Sequence, residues 1–138
     1  TGRVVVQVTD VREEAMSAAQ TVAILGASSD PERYAFKAQH LLKEHGHRVI
    51  PVSAKEATID GDATVAQLHD IEGAVDTLTL YVRPAISSKY REQIEALKPG
   101  RVIFNPGTEN EELAAALRAA GIDTEEACTL VMLRTGHF

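Results

Sequence analysis

The chain has 138 residues, enough for one domain around one core. With 44% hydrophobic and 25% charged residues it has the make-up of an ordinary globular protein, and its longest apolar runs are strand-sized, far below the roughly 20 residues that span a bilayer. A net charge of −6 with 4% aromatic residues argues against nucleic acid as a partner, so a polyanionic ligand would need a local basic pocket. The single cysteine, Cys128, allows no internal disulfide. Together with the lack of a basic start and apolar run of the signal-peptide kind, it leads to the expectation of a cytoplasmic protein with no membrane partner.

In chain order, Arg3–Val8 is rich in Val and reads as a strand, and Asp10 with Glu13 forms a capping box for a helix to about Gln20. These twenty residues are expected to form an extension packed on a main domain, 21–138. Thr21–Leu25 is an apolar run that ends at Gly26. Asp30-Pro31 then predicts a helix start, with Asp as N-cap and Pro at the first helical position. The apolar face of that helix is Tyr34, Ala35, Ala38, Leu41 and Leu42, and Gly46 closes it. Arg48–Val52 is the second regular strand, Thr64–Asp70 a short helix, and Thr77–Val82 the third strand, stopped by Pro84. Ile86, Tyr90, Ile94 and Leu97 mark the next helix, which Pro99-Gly100 ends. Arg101–Phe104 is the fourth strand. A helix beginning at Asn110-Glu111-Glu112 follows, with Leu113, Ala114 and Leu117 inward and Gly121 at its end, and a fifth strand follows Ile122.

Strands alternate with helices, and most strands are continuous apolar runs. That pattern predicts an α/β, Rossmann-like, doubly wound and mainly parallel sheet of about five strands with helices on both faces, in the order 3-2-1-4-5. Ligands of such sheets bind beyond the carboxyl ends of the strands. In this chain those ends are Gly26–Asp30, Ser53–Lys55, Arg83-Pro84 and Asn105–Thr108.

The loop Gly26-Ala27-Ser28-Ser29 has the place of a phosphate cradle between a strand and a helix N-terminus, although it lacks the further glycines of the dinucleotide fingerprint. Arg33 and Lys37 lie one turn apart near that helix start, where cations oppose the helix dipole unless an anion sits between them. Ser53 and Lys55 replace the acidic residue of a NAD site and suit a phosphorylated ribose. Arg83 offers a planar fork for phosphate, with Pro84 fixing the backbone, and Asn105-Pro106-Gly107 allows close backbone approach. Cys128 has no activating base nearby in sequence and reads as a buried structural residue rather than a nucleophile. His45 and His47 flank Gly46 at a helix end, where cations are favourable. No cluster has the spacing of a metal site, and no catalytic set is evident.

The runs "TVAILGASSDPERYAFKAQHLLKEHGHRVIPVSAKE", "VDTLTLYVRPA", "VIFNPGTENEELAAALRAAGI" and "EAC" resemble, in order and spacing, the small stand-alone CoA-binding proteins. Their Rossmann domain is similar to the N-terminal domain of the succinyl-CoA synthetase α subunit. The resemblance covers about Thr21 to Cys128. It implies coenzyme A as the cofactor, with Ser28, Ser29 and Arg33 near its phosphates and Lys55 at its adenosine end. Arg83 and Asn105–Gly107 would border the pantetheine path. Two stretches depart from the family's commoner forms: the Asn-Pro-Gly turn, and the tail Thr129–Phe138. The second domain of the synthetase, which carries its phosphorylated histidine, has no counterpart in this chain. The resemblance therefore implies binding of CoA or acyl-CoA without ligase catalysis, as a sensor or a partner to another enzyme. Two other readings stay open: an NADP-binding or redox-sensing module, and a ligand-free interaction domain. Assembly into a homo-oligomer stays open too.

Overall fold

The computed structural model describes residues 19–138. The strand at Arg3–Val8 and the capping box of Asp10 and Glu13 lie outside the described residues. Five strands form one parallel sheet: β1 (Thr21–Leu25), β2 (Arg48–Val52), β5 (Thr77–Leu80), β6 (Arg101–Phe104) and β7 (Asp123–Glu126). A two-stranded antiparallel hairpin, β3 (Thr58–Ile59) and β4 (Asp62–Ala63), lies between β2 and β5. The helices are α1 (Tyr34–Glu44), α2 (Pro84–Ser87), α3 (Arg91–Leu97), α4 (Glu111–Ala119) and α5 (Thr129–Thr135).

Side chains alternate across the sheet, so each strand feeds two cores. Val22 and Ile24 pack with Ala35, Leu42, Val49 and Leu133 under α1 and α5. Ala23, Leu25, Leu78, Leu80, Val102 and Phe104 pack on the other face with Ile94, Leu113 and Leu117 from α3 and α4. A parallel sheet covered on both faces needs strands that are apolar throughout, and all four residues of β5 are buried. Thr77 and Thr79 are tolerated there because their hydroxyls are hydrogen-bonded.

The strand order is β2-β1-β5-β6-β7, not 3-2-1-4-5 in terms of the five apolar runs. The run at Thr77 crosses to the far side of β1, pairing Val22 with Thr77 and Leu25 with Leu80. The place beyond β2 is held by Val65 alone, in a single parallel bridge to Val52. Its N–H donates to the Pro51 carbonyl at 3.1 Å and its carbonyl accepts from Ser53 at 2.8 Å. The reason lies in burial: the Thr77 run is apolar enough to need neighbours on both edges, whereas the polar stretch around Val65 can sustain only one bridge.

Local expectations shift at three further places. Asp30 does not cap α1. Its carboxylate accepts the Glu32 N–H at 2.9 Å and its carbonyl the Arg33 N–H at 3.0 Å, which closes a turn and delays the helix to Tyr34. Tyr34 then falls outside the buried face and is 69% exposed, and Gln39 is buried in its stead. The expected helix at Thr64–Asp70 is reduced to a 3-10 turn at Leu68–Asp70. The helix through Ile86 and Leu97 is broken into α2, a 3-10 turn at Ser88–Tyr90 and α3, yet Tyr90, Ile94 and Leu97 still pack on the core.

The tail Thr129–Phe138 completes the α1 side of the sheet. Leu130 and Leu133 are buried. The Phe138 ring lies 5.0 Å from that of His47, with the Arg101 guanidinium 4.6 Å from its centroid. His47 is thereby no cationic cap: its Nδ1 accepts the Gln20 N–H at 2.9 Å, and burial, helped by the charges of His45 and Arg101, lowers its pKa. Among the described residues no helix is long and apolar enough to cross a membrane.

Candidate functional site

The chain turns out of β1 at Gly26, whose φ is +90°. A Cβ there would stand 2.7 Å from Val82 Cγ1 and 2.9 Å from the Tyr81 carbonyl oxygen. Only glycine both adopts this conformation readily and lets the loop lie against the end of β5. The loop then folds on itself, as Ser28 Oγ accepts the Asp30 N–H at 3.1 Å. It delivers Arg33 to the N-cap position of α1 in an extended conformation. No side chain caps this helix, and no acidic residue occupies its first turn.

Two clefts meet at Gly26 and Val82. One, of about 280 Å3, is lined by Gly26, Ser28, Arg33, Tyr34, Ala35, Tyr81, Val82, Arg83, Pro106, Gly107 and Thr108. The other, of about 400 Å3, lies beyond the end of β2, between Ala27, Val52, Ser53 and Lys55 on one side and Ala66, Ile86 and Tyr90 on the other. The lining of both clefts contains no carboxylate, imidazole or thiol, and its charged members are Arg33, Arg83 and Lys55. Among the described residues none of these three forms an ion pair, whereas Lys43, Arg91, Arg101 and Arg118 all do. In a chain of net charge −6, the charged groups that line these two clefts are therefore all positive. A larger groove of about 720 Å3 follows the outer edge of β2, but it mixes Lys43 and Arg48 with Asp62, Asp70 and Glu72. None of the residues that the sequence suggests for ligand binding lines it.

Of the sequence-derived site residues, Gly26, Ala27, Ser28, Arg33, Ser53, Lys55, Arg83, Pro106 and Gly107 line these two clefts. Ser29, Lys37, Pro84 and Asn105 do not. Ser29 is exposed on the outside of the loop. The Lys37 ammonium lies 5.6 Å from the centroid of the Tyr34 ring, at the rim. Pro84 opens α2, with Arg83 as its N-cap.

Asn105 is 1% exposed and turned inward. Its Nδ2 donates to Thr79 Oγ1 at 2.6 Å and to the Leu80 carbonyl at 2.8 Å, and its Oδ1 accepts the Thr129 N–H at 2.9 Å. Its carbonyl accepts from both the N–H and the hydroxyl of Thr108, which closes the Pro106-Gly107 turn. Gly107 has φ +89° and open space where a Cβ would stand, and its N–H donates to Glu109 Oε1 at 2.9 Å.

Tyr34, Tyr81, Val82, Ile86 and Tyr90 line the clefts but carry no mark of a site residue in the sequence, and Thr108 is marked only as the end of the Asn105–Thr108 turn. Ile86 and Tyr90 have the periodicity of an inward helix face, and both are only partly buried because that face also borders the cleft. Tyr81 follows β5 directly. Its hydroxyl lies enclosed beside those of Thr129 and Thr79 without a hydrogen bond of good geometry to either, and burial pushes its pKa up to about 12. Cys128 is partly buried and occupies the N-cap of α5.

The family model for the CoA binding domain matches residues 20–134. The chain belongs to this CoA-binding domain family. Its fold is similar to the crystal structure of an uncharacterized protein, with 47% identity and a TM-score of 0.83 over 88% of this chain and 99% of that one. It is similar also to the cell-free protein ID.343 from Thermus thermophilus, with 32% identity and a TM-score of 0.81 over 94% and 98% of the two chains. The fold alone recurs in a dinucleotide-forming acetyl-coenzyme A synthetase from Ca. Korarchaeum cryptofilum. There the identity is 18% and the TM-score 0.69, over 78% of this chain and 25% of that one.

Proposed function

We propose that the chain binds coenzyme A, free or acylated, across the two clefts, and serves as a binding module without a catalytic apparatus of its own. The observation that carries this reading is the meeting of two clefts at Gly26 and Val82, with Arg33, Arg83 and Lys55 as the charged lining residues. Coenzyme A is a bipolar ligand with a diphosphate in its middle. The adenine and the 3′-phosphorylated ribose fit the larger cleft, where Val52, Ile86 and Tyr90 supply an apolar wall and Lys55 meets the phosphate. The diphosphate crosses at the Gly26 loop, within reach of Ser28, Arg33 and the positive end of the α1 dipole. The pantetheine arm then runs along Tyr81, Arg83 and the Pro106-Gly107 turn. General acid–base chemistry needs a group that exchanges protons near neutral pH, and none lines either cleft. Physiologically the bound species would report acyl-CoA supply or be presented to a partner enzyme.

Titration calorimetry with CoA, its 3′-dephospho form and NADP tests the reading. CoA binds, NADP binds much more weakly for lack of a nicotinamide pocket, and dephospho-CoA loses roughly tenfold if a charge-assisted bond to Lys55 is removed. Equal affinity for CoA and dephospho-CoA would remove Lys55 from the ribose phosphate. Tighter binding of NADP than of CoA would overturn the assignment.

A further inference from the structure

Asn105 stands between the two walls of the smaller cleft without touching it. One wall is Tyr81-Val82-Arg83, the extension of β5, and the other is Pro106-Gly107-Thr108, the extension of β6. The Asn105 side chain joins them. Both amide hydrogens go to the β5 side, to Thr79 Oγ1 and the Leu80 carbonyl, while its own carbonyl holds Thr108 and so the turn. Its Oδ1 brings in the start of α5 through the Thr129 N–H, and Thr129 Oγ1 lies 2.8 Å from Thr79 Oγ1. The position demands two donors and an acceptor on one short planar group, which among the side chains only Asn supplies at this length. Asp lacks the donors, and Leu lacks every polar atom.

We infer that Asn105 is a positioning residue, which fixes the separation of the Tyr81 and Pro106-Gly107 walls and thereby the affinity for the pantetheine half of the ligand alone. The inference rests on the CoA reading above. The larger cleft shares Gly26 and Val82 with the smaller one, but Ser53, Lys55, Ala66, Ile86 and Tyr90 come from segments that Asn105 does not bond.

The test separates the two halves of the ligand. The full chain, as wild type and as Asn105→Asp, is titrated with CoA and with adenosine 3′,5′-bisphosphate, which carries the nucleotide end only. Asn105→Asp, which removes both side-chain donations, is expected to weaken CoA by about tenfold or more and to leave the bisphosphate within about twofold. Thr79→Val covers the case in which Asn105→Asp fails to fold. It keeps side-chain shape, lines neither cleft, and removes one of the acceptors that orient the amide. It is expected to show the same one-sided loss at about threefold. Parallel loss of both ligands, or unchanged CoA affinity in a folded variant, would overturn the positioning role. Failure of the wild type to bind either ligand would instead overturn the CoA reading itself.

Discussion

At the start of α4 the chain satisfies its own helix. The Asn110 side chain accepts the Leu113 N–H at 3.1 Å, and Glu111 and Glu112 set negative charge in the first turn. At the start of α1 the same kind of helix is left unsatisfied: the N-cap is Arg33, no side chain caps it, and Lys37 is the first charged residue inside it. Both helices follow parallel strands of one sheet and begin beyond their carboxyl ends, so backbone geometry does not explain the difference. On the CoA reading proposed above, the start of α1 is left for the ligand's diphosphate to complete, whereas that of α4 is completed by the chain itself, which makes α4 an internal control.

The comparison would break first at the charges. Reversing both cations, Arg33→Glu with Lys37→Glu, is expected to weaken CoA by tenfold or more, since a charge-assisted hydrogen bond is worth about 1.5–3 kcal/mol. The free protein should become slightly more stable, because acids near a helix start gain about 0.3–1 kcal/mol each at low salt. Titration of CoA alongside thermal unfolding of the unliganded variant reads both. A variant that loses stability while keeping its affinity would reduce Arg33 and Lys37 to ordinary surface charges.

Asn110→Ala sharpens the other side. Here the loss falls on the fold: a cap is worth about 1 kcal/mol, and the Asn110 amide also donates to the hydroxyls of Ser87 at 3.1 Å and Ser88 at 2.9 Å. A fall in Tm of roughly 5–10 °C is expected for a destabilisation of about 2 kcal/mol, with a much smaller effect on CoA affinity. An equal loss of affinity would show that the two helix starts are energetically joined.

The smallest effect concerns the far end of α1. The lowered pKa of His47 means that the folded protein resists the proton more than the unfolded chain, whose histidine titrates at about 6.5. Stability from this group is complete above that pH, and it is lost as pH falls through the unfolded value toward the lower folded one. A decline in Tm between pH 7.5 and 5.5 follows, and His47→Asn, which keeps an acceptor for the Gln20 N–H but does not titrate, should flatten it. An unchanged slope in that variant would place the pH sensitivity elsewhere.

Much of this was legible in the residues. The apolar runs at Thr21, Arg48, Thr77 and Arg101 and the glycines at 26, 46 and 121 identify strands, helix ends and the side of the sheet where the two clefts lie, because burial on both faces and positive φ leave clear marks. Strand order was not legible, since it depends on which edge a run occupies, and the single bridge at Val65 has no periodicity to show. Nor was the direction of a side chain beyond a strand end. Asn105 and Gly107 stand two residues apart in one turn, yet one faces the interior and the other the cleft. Tyr34 shows the same limit on a helix: a start delayed from Pro31 to Tyr34 moved it from the expected core to the rim of the site.

The two edges of the sheet bear on how copies of this molecule can meet. β7 exposes Asp123, Glu125 and Glu126, so a second copy approaching strand to strand would bring like charges together. On β2, Pro51 offers no N–H, and its carbonyl is already taken by Val65. Acidic side chains and proline on edge strands oppose the continuous pairing by which sheets fuse into fibrils. Self-association of the described domain through its sheet edges is therefore disfavoured, and the sheet is closed to extension from either side.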